Sequence, residues 1–133
     1  ITYGSLDDVP AEFKDGNFFS PIVLENIQEG SVAYKEELFG PVFSLYRVKN
    51  ERHAMELAND TEYGLGAAVF CKDIERAEKF ARGFDAGMVY VNDFVQSQSD
   101  VPSGGTKDSG HGKECYKDGL LELTNRKCIV IAN

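Results

Sequence analysis

Apolar and polar positions change period several times along the chain, and each change marks an element. Residues 1–19 mix Gly, Asp, Pro and aromatic residues without a period and predict mostly loop. Phe18-Phe19-Ser20-Pro21-Ile22-Val23-Leu24 is a short apolar run rich in strand formers. Turn residues Asn26 and Gly30 follow within residues 25–34. Val42-Phe43-Ser44-Leu45-Tyr46-Arg47-Val48 predicts the next strand, after which Asn50 caps a helix from Glu51 with Ala54, Leu57 and Ala58 on one face. Gly64 reads as the end of that helix. Leu65-Gly66-Ala67-Ala68-Val69-Phe70 is a continuous run of small apolar residues, as expected for a strand covered on both faces. Asp73 caps a second helix carrying Ile74, Ala77, Phe80, Ala81 and Phe84 at helical spacing. Gly83 and Gly87 bracket its end, and Met88-Val89-Tyr90-Val91 predicts another strand.

Strands at 42–48, 65–70 and 88–91 separated by helices imply two consecutive crossovers and one parallel sheet. The predicted fold class is α/β, a parallel sheet built from consecutive strand–helix–strand units, with no internal linker in residues 1–133. Asn92 to Gly112 is polar and glycine-rich, too long for a mere connector. Asp118 predicts the cap of a short helix through Leu120, Leu121 and Leu123. Lys127-Cys128-Ile129-Val130-Ile131-Ala132 reads as a terminal strand with nothing after it to pair with. Such an edge calls for cover, and a neighbouring subunit is the expected one.

Composition narrows the function classes. The chain has 133 residues, 42% hydrophobic and 27% charged, suited to one globular domain with a real core. A net charge of −8 argues against nucleic-acid or anionic-membrane partners, which are bound by an excess of Lys and Arg. No apolar run approaches the roughly 20 residues that span a bilayer, and no charged-then-apolar leader is seen. Cys71, Cys115 and Cys128 are an odd number without a close pair, so a disulfide framework is not expected and a reducing cytoplasm is the simplest location. The chain begins Ile1-Thr2-Tyr3 without Met, which suggests missing upstream sequence.

The densest chemistry lies in Lys35-Glu36-Glu37-Leu38-Phe39-Gly40-Pro41-Val42. Gly40 adopts backbone angles closed to other residues, and Pro41 cannot continue a helix. Glu37 and Phe39 are therefore expected on a turn that feeds a strand, where α/β domains often place binding residues. The alternative is a charged helix end above a buried Leu and Phe. The loop Gly104-Gly105-Thr106-Lys107-Asp108-Ser109-Gly110-His111-Gly112-Lys113 invites a phosphate-binding reading, but His111 stands where a phosphate loop has its Lys. Structural turn glycines are the default there. His111 and Cys115 are four apart, yet no second close pair completes a metal site. None of the three cysteines shows an activating pattern, and Ser97, Ser99, Ser103 and Ser109 lack a nucleophile-elbow context.

Four separated stretches nevertheless share one resemblance. They are Glu36–Val42, Asn59–Phe70, Gly87-Met88-Val89-Tyr90-Val91-Asn92 and Pro102–Glu114. In order and spacing they resemble the C-terminal third of an NAD(P)-dependent aldehyde dehydrogenase. The tail from Gly119 to Ile131 and the polar loop from Asn92 to Asp100 are most similar to the succinate-semialdehyde dehydrogenase branch.

The resemblance implies a partial catalytic domain with a C-terminal oligomerisation strand at 127–132, hence a homo-oligomer, and a small-molecule aldehyde substrate. Members of the family attack the aldehyde with a cysteine thiolate, pass hydride to NAD or NADP, and hydrolyse the thioester with glutamate-activated water. Those catalytic residues and the nucleotide-binding domain belong upstream of the matched segment, so the chain alone is expected to be inactive. None of Cys71, Cys115 or Cys128 matches the nucleophile. Glu37 matches the glutamate that accepts hydrogen bonds from the nicotinamide ribose, and Phe39 the aromatic beside it. Ser103 and Ser97 stand where the family is often aromatic, which implies a polar or carboxylate-bearing substrate tail. Two other readings compete: a free-standing α/β binding module for a phosphorylated ligand, and an assembly domain without chemistry.

Overall fold

The computed structural model describes residues 1–132 and resolves two compact units, Ile1–Lys49 and one that begins at Asn50. In the first, β1 (Ile22–Leu24) and β2 (Val42–Ser44) pair in parallel, Ile22 opposite Val42 and Leu24 opposite Ser44. One helical turn, α1 (Val32–Lys35), lies between them in sequence. Tyr3 bridges Val23 on the other side of β1. Ile22 is the buried apolar side chain of this unit. The Arg47 guanidinium donates to Glu25 at 3.0 Å, joining the residues that leave the two strands.

The second unit begins with α2 (Glu51–Asn59), whose first turn is capped by the Asn50 side chain accepting from the His53 N–H at 2.9 Å. There follow β3 (Tyr63–Gly64), β4 (Gly66–Val69), α3 (Ile74–Ala81), β5 (Met88–Val91), β6 (Thr106–Lys107) and α4 (Tyr116–Glu122). Asp73 caps α3 through the Arg76 N–H at 3.0 Å, as its position before the helix predicts. β4 and β5 run parallel with Gly66 opposite Met88 and Val69 opposite Val91, and α3 packs on both with Ala77 fully buried. Glu51 pairs with Arg76 between the two helices, and its hydrogen bond and charge raise the guanidinium above its ordinary value.

The α/β class and the parallel strand–helix–strand units are as the sequence predicts, but the sheet membership is not. β2 finds its parallel partner upstream in β1, so the strands expected as one sheet fall into separate pairs, β1–β2 and β4–β5. Adjacency in sequence is a tendency of strand pairing, and β2 pairs with the earlier apolar run. The third pair, β3–β6, is antiparallel and joins residues about forty apart.

Gly64 corrects the helix boundary. α2 ends at Asn59, and Gly64 lies in β3 instead of ending the helix. Its role is close approach: a Cβ there would sit 2.3 Å from Thr106 Oγ1 and 2.7 Å from the Asp85 carbonyl. α4 likewise starts at Tyr116, so Asp118 lies inside its first turn and does not cap it. α3 stops at Ala81, and Phe84 packs its ring edge-on against Phe80 from beyond the helix.

The expected core is the largest departure. Among the described residues only Ile22 and Ala77 are buried apolar side chains, and β4, expected to be covered on both faces, alternates between exposed and half-buried positions. The accessible surface is 10825 Å² for 14.7 kDa. A folded monomer of that mass exposes about 6,900 Å², and two separate bodies of these lengths about 8,300 Å². Division into two units therefore explains only part of the excess. Residues 127–132 form no ladder with any described residue, and Ile129, Val130 and Ile131 are 77%, 84% and 85% exposed. The predicted terminal strand is thus not a strand within the chain, because a strand requires a partner.

Gly87, just before β5, approaches the backbone of the glycine loop more closely than any side chain allows. A Cβ there would fall 1.8 Å from the Gly104 carbonyl oxygen. Gly87→Ala is expected to lower the unfolding free energy by about 1–3 kcal/mol through overpacking, read as an earlier urea midpoint at unchanged slope.

Candidate functional site

In the first unit the site begins where α1 ends. Glu36 turns to extended backbone at φ −106° and ψ 150°, and its N–H closes the helix on the Val32 carbonyl at 2.9 Å. Two tight turns follow, Gly40 N–H to the Leu38 carbonyl at 2.7 Å and Val42 N–H to the Gly40 carbonyl at 2.8 Å. The segment 36–41 is thus the turn feeding β2 that the Gly-Pro break predicts. Leu38 is half-buried, while Glu37 and Phe39 on either side of it are exposed.

Phe39 is 95% exposed, an open aromatic face of the kind that a flat ligand covers. Among the described residues the Glu37 carboxylate makes no hydrogen bond or ion pair. Its oxygens are therefore free to accept two donors. A free carboxylate two residues from an open ring fits a diol attached to a flat heterocycle, as in a nicotinamide ribose. Of the alternative, a charged helix end above a buried Leu and Phe, the chain forms a part: Leu38 is half-buried and Phe39 is not.

In the second unit a cleft of about 800 Å³ is lined by Leu65, Met88, Ser97, Ser103, Lys113 and Cys115 together with loop glycines and α4 residues. The sequence-predicted pair Ser97 and Ser103 is brought together here, with the hydroxyl oxygens 3.0 Å apart. Ser103 is 5% exposed and donates to the Met88 sulfur at 3.3 Å. With its single proton on sulfur, Ser103 accepts from Ser97. A thioether is a weak acceptor, so a better one entering the cleft can claim the Ser103 proton cheaply. A two-strand bridge sets Ser103 in place: its N–H reaches the Glu114 carbonyl at 2.9 Å and its carbonyl receives the Glu114 N–H at 2.7 Å.

The lysines of the glycine loop are engaged in holding it. Lys107 Nζ donates to the Asn59 and Thr61 carbonyls, each at 3.0 Å, and lies 3.2 Å from Asp85 Oδ2. Lys113 Nζ donates to the Gly104 and Gly105 carbonyls at 3.0 and 2.8 Å. Ser109 accepts from the Gly64 N–H at 2.9 Å. An ammonium whose three protons all meet acceptors within the chain, as for Lys107, has none to offer a phosphate. The geometry favours turn glycines over the phosphate loop.

Sequence reasoning missed Lys107, Lys113 and Met88, because their partners lie in other segments and nothing local marks them. Cys71 is engaged through its backbone: the Asn92 side chain accepts from its N–H at 2.7 Å and donates to its carbonyl at 2.8 Å. Cys115 lines the cleft and Cys128 is exposed, and all three thiols are free. Among the described residues no three His, Cys, Asp or Glu side chains gather as a metal site, and no helix is long and apolar enough to cross a membrane.

The family model described as "Aldehyde dehydrogenase family" matches residues 1–129. Succinate-semialdehyde dehydrogenase [NADP(+)] of Deinococcus radiodurans is 47% identical over 114 residues, covering 86% of this chain and 24% of that protein. Betaine aldehyde dehydrogenase of Staphylococcus aureus, solved in complex with NAD+, superposes with a TM-score of 0.78 at 42% identity over 86% of this chain and 23% of that one. Succinic semialdehyde dehydrogenase of Streptococcus pyogenes, solved with NADP+, gives a TM-score of 0.83 at 36% identity over 89% and 26%. The chain spans about a quarter of the length of these relatives. On a match that runs almost from end to end, the chain belongs to the aldehyde dehydrogenase family.

Proposed function

We propose that residues 1–133 form the C-terminal part of an enzyme that oxidises an aldehyde to a carboxylic acid with NAD or NADP. The observation that carries this reading is the free Glu37 carboxylate beside the open Phe39 ring, on the turn that feeds β2. Glu37 would accept hydrogen bonds from the ribose hydroxyls, and Phe39 would limit sideways movement of the nicotinamide. When bound, the nicotinamide supplies the hydride acceptor. The reading places the nucleophilic thiolate, the general base and the nucleotide-binding domain in protein outside these residues. It gives the isolated chain no turnover of its own.

For the substrate, two hydroxyls at positions 97 and 103 favour a polar tail over an alkyl chain. They also favour an anionic tail over a quaternary ammonium, because neither position offers a ring for a cation. Both serines can donate to one carboxylate, the chemistry of succinic semialdehyde, which the names of the Deinococcus radiodurans and Streptococcus pyogenes relatives carry. The tail 127–132 would complete its hydrogen bonds on the sheet of another copy, making the enzyme a homo-oligomer. A cytoplasmic location is part of the same reading.

In the full-length enzyme, Glu37→Gln is expected to raise the KM for the dinucleotide about tenfold, the size of one charge-assisted hydrogen bond. Initial rates at varied NAD and NADP check this, and an unchanged KM would reject the ribose role. Ser103→Phe is expected to shift the ratio of kcat/KM for succinic semialdehyde over butanal about 10- to 100-fold towards butanal. A wild-type enzyme that already prefers butanal would defeat the carboxylate reading. Val130→Pro should lower the solution mass in sedimentation by removing a ladder donor, and an unaltered mass would count against assembly through this strand.

A further inference from the structure

The proposed chemistry leaves Lys113 without a part, yet its side chain is spent next to the hydroxyl pair. Nζ meets the Gly104 and Gly105 carbonyls, the two that follow Ser103 directly in the chain. Gly104 has φ 150°, a conformation that side chains rarely adopt. Two consecutive glycine carbonyls are turned there onto one cation. Glycine has no Cβ to restrict these peptide planes, so a bond from elsewhere must choose their orientation. Lys113 supplies that bond, while its neighbour Glu114 grips Ser103 with two backbone hydrogen bonds. The dipeptide Lys113-Glu114 thus holds Ser103-Gly104-Gly105 from both ends. The position of the Ser103 hydroxyl, 3.0 Å from that of Ser97, follows from this grip.

We infer that Lys113 is a positioning residue for the Ser97–Ser103 hydroxyl pair, and through it sets the choice between carboxylate-tailed and apolar aldehydes. The inference rests on the reading of that pair as the site of the substrate tail. Lys113 touches neither substrate nor cofactor in this scheme. It acts by fixing the peptide planes that follow Gly104 and Gly105, the first of which begins one residue beyond the bridged Ser103. An interaction of this kind is felt in substrate selection and not in the reaction step itself.

The test uses the full-length enzyme and the ratio of kcat/KM for succinic semialdehyde over butanal. Lys113→Met is expected to lower the ratio about tenfold through KM of the semialdehyde, with kcat and the butanal constants nearly unchanged. Lys113→Arg, whose planar fork reaches two carbonyls, is expected to keep the ratio. Ser103→Ala should lower the ratio similarly, and the double variant Lys113→Met/Ser103→Ala should lower it no further, since both remove one function. Lys113→Gln, with a shorter and neutral donor, gives the same reading if the Met variant does not accumulate. Equal losses on both aldehydes, or a double variant equal to the product of the singles, would overturn the inference. A ratio lost in Ser103→Ala but kept in Lys113→Met overturns it alone. A wild-type preference for butanal that ignores Ser103→Ala overturns the substrate reading and this inference with it.

Discussion

Charged ammonium groups meeting neutral backbone carbonyls hold the glycine loop in one conformation, and the second unit depends on that constraint. A loop with Gly at 104, 105, 110 and 112 has more backbone freedom than any other stretch of the chain. Ordering it costs roughly 1–2 kcal/mol per residue in backbone entropy. Hydrogen bonds from a charged donor contribute about 1.5–3 kcal/mol each, more than neutral ones, and Lys107 and Lys113 make four to carbonyls. Lys107 ties the loop to the end of α2, where the helix dipole adds to the attraction for a cation. Gly64 and Gly87 contribute by what they lack. Their missing side chains let Thr106, Asp85 and Gly104 come within distances that a Cβ would forbid. The lysines set the loop's angles, and the glycines permit its distance from β5.

Burial shows why these polar bonds matter so much here. The described residues bury little apolar surface, with Phe39, Leu123, Val130 and Ile131 more than four-fifths exposed. Apolar contact therefore stabilises each unit less than in a domain of ordinary burial. Backbone ladders, capped helices and side-chain clasps such as that of Asn92 on Cys71 carry a larger share. The match covers about a quarter of the length of these relatives.

What was legible in the sequence is what near neighbours determine. Asn50 and Asp73 announce their helices because a cap bonds an N–H only three residues away. The turn at 36–41 is legible because Gly40 and Pro41 act on their own backbone. Sheet membership was not legible, since β2 had candidate partners on both sides and its choice of β1 depends on contacts across the fold. The antiparallel pair β3–β6 was missed for a related reason: two residues are too few to show a period of two. Gly64 was misread because a helix stop and a close backbone approach call for the same residue. At the site, family resemblance pointed to Ser97 and Ser103, and only the structure shows that they touch. Lys113 was invisible, because its acceptors are carbonyls, which every residue has.

The proposed pairing of 127–132 with another copy would tie folding to concentration. Six residues with ladder partners in another copy would not gain order by a first-order process, so the last part of folding would be a bimolecular event. The entropy lost there, on the order of 6–12 kcal/mol for six residues, would have to be met by contacts between chains. Dilution would then act as a denaturant for this segment, and its stability would vary with how much of the protein is made.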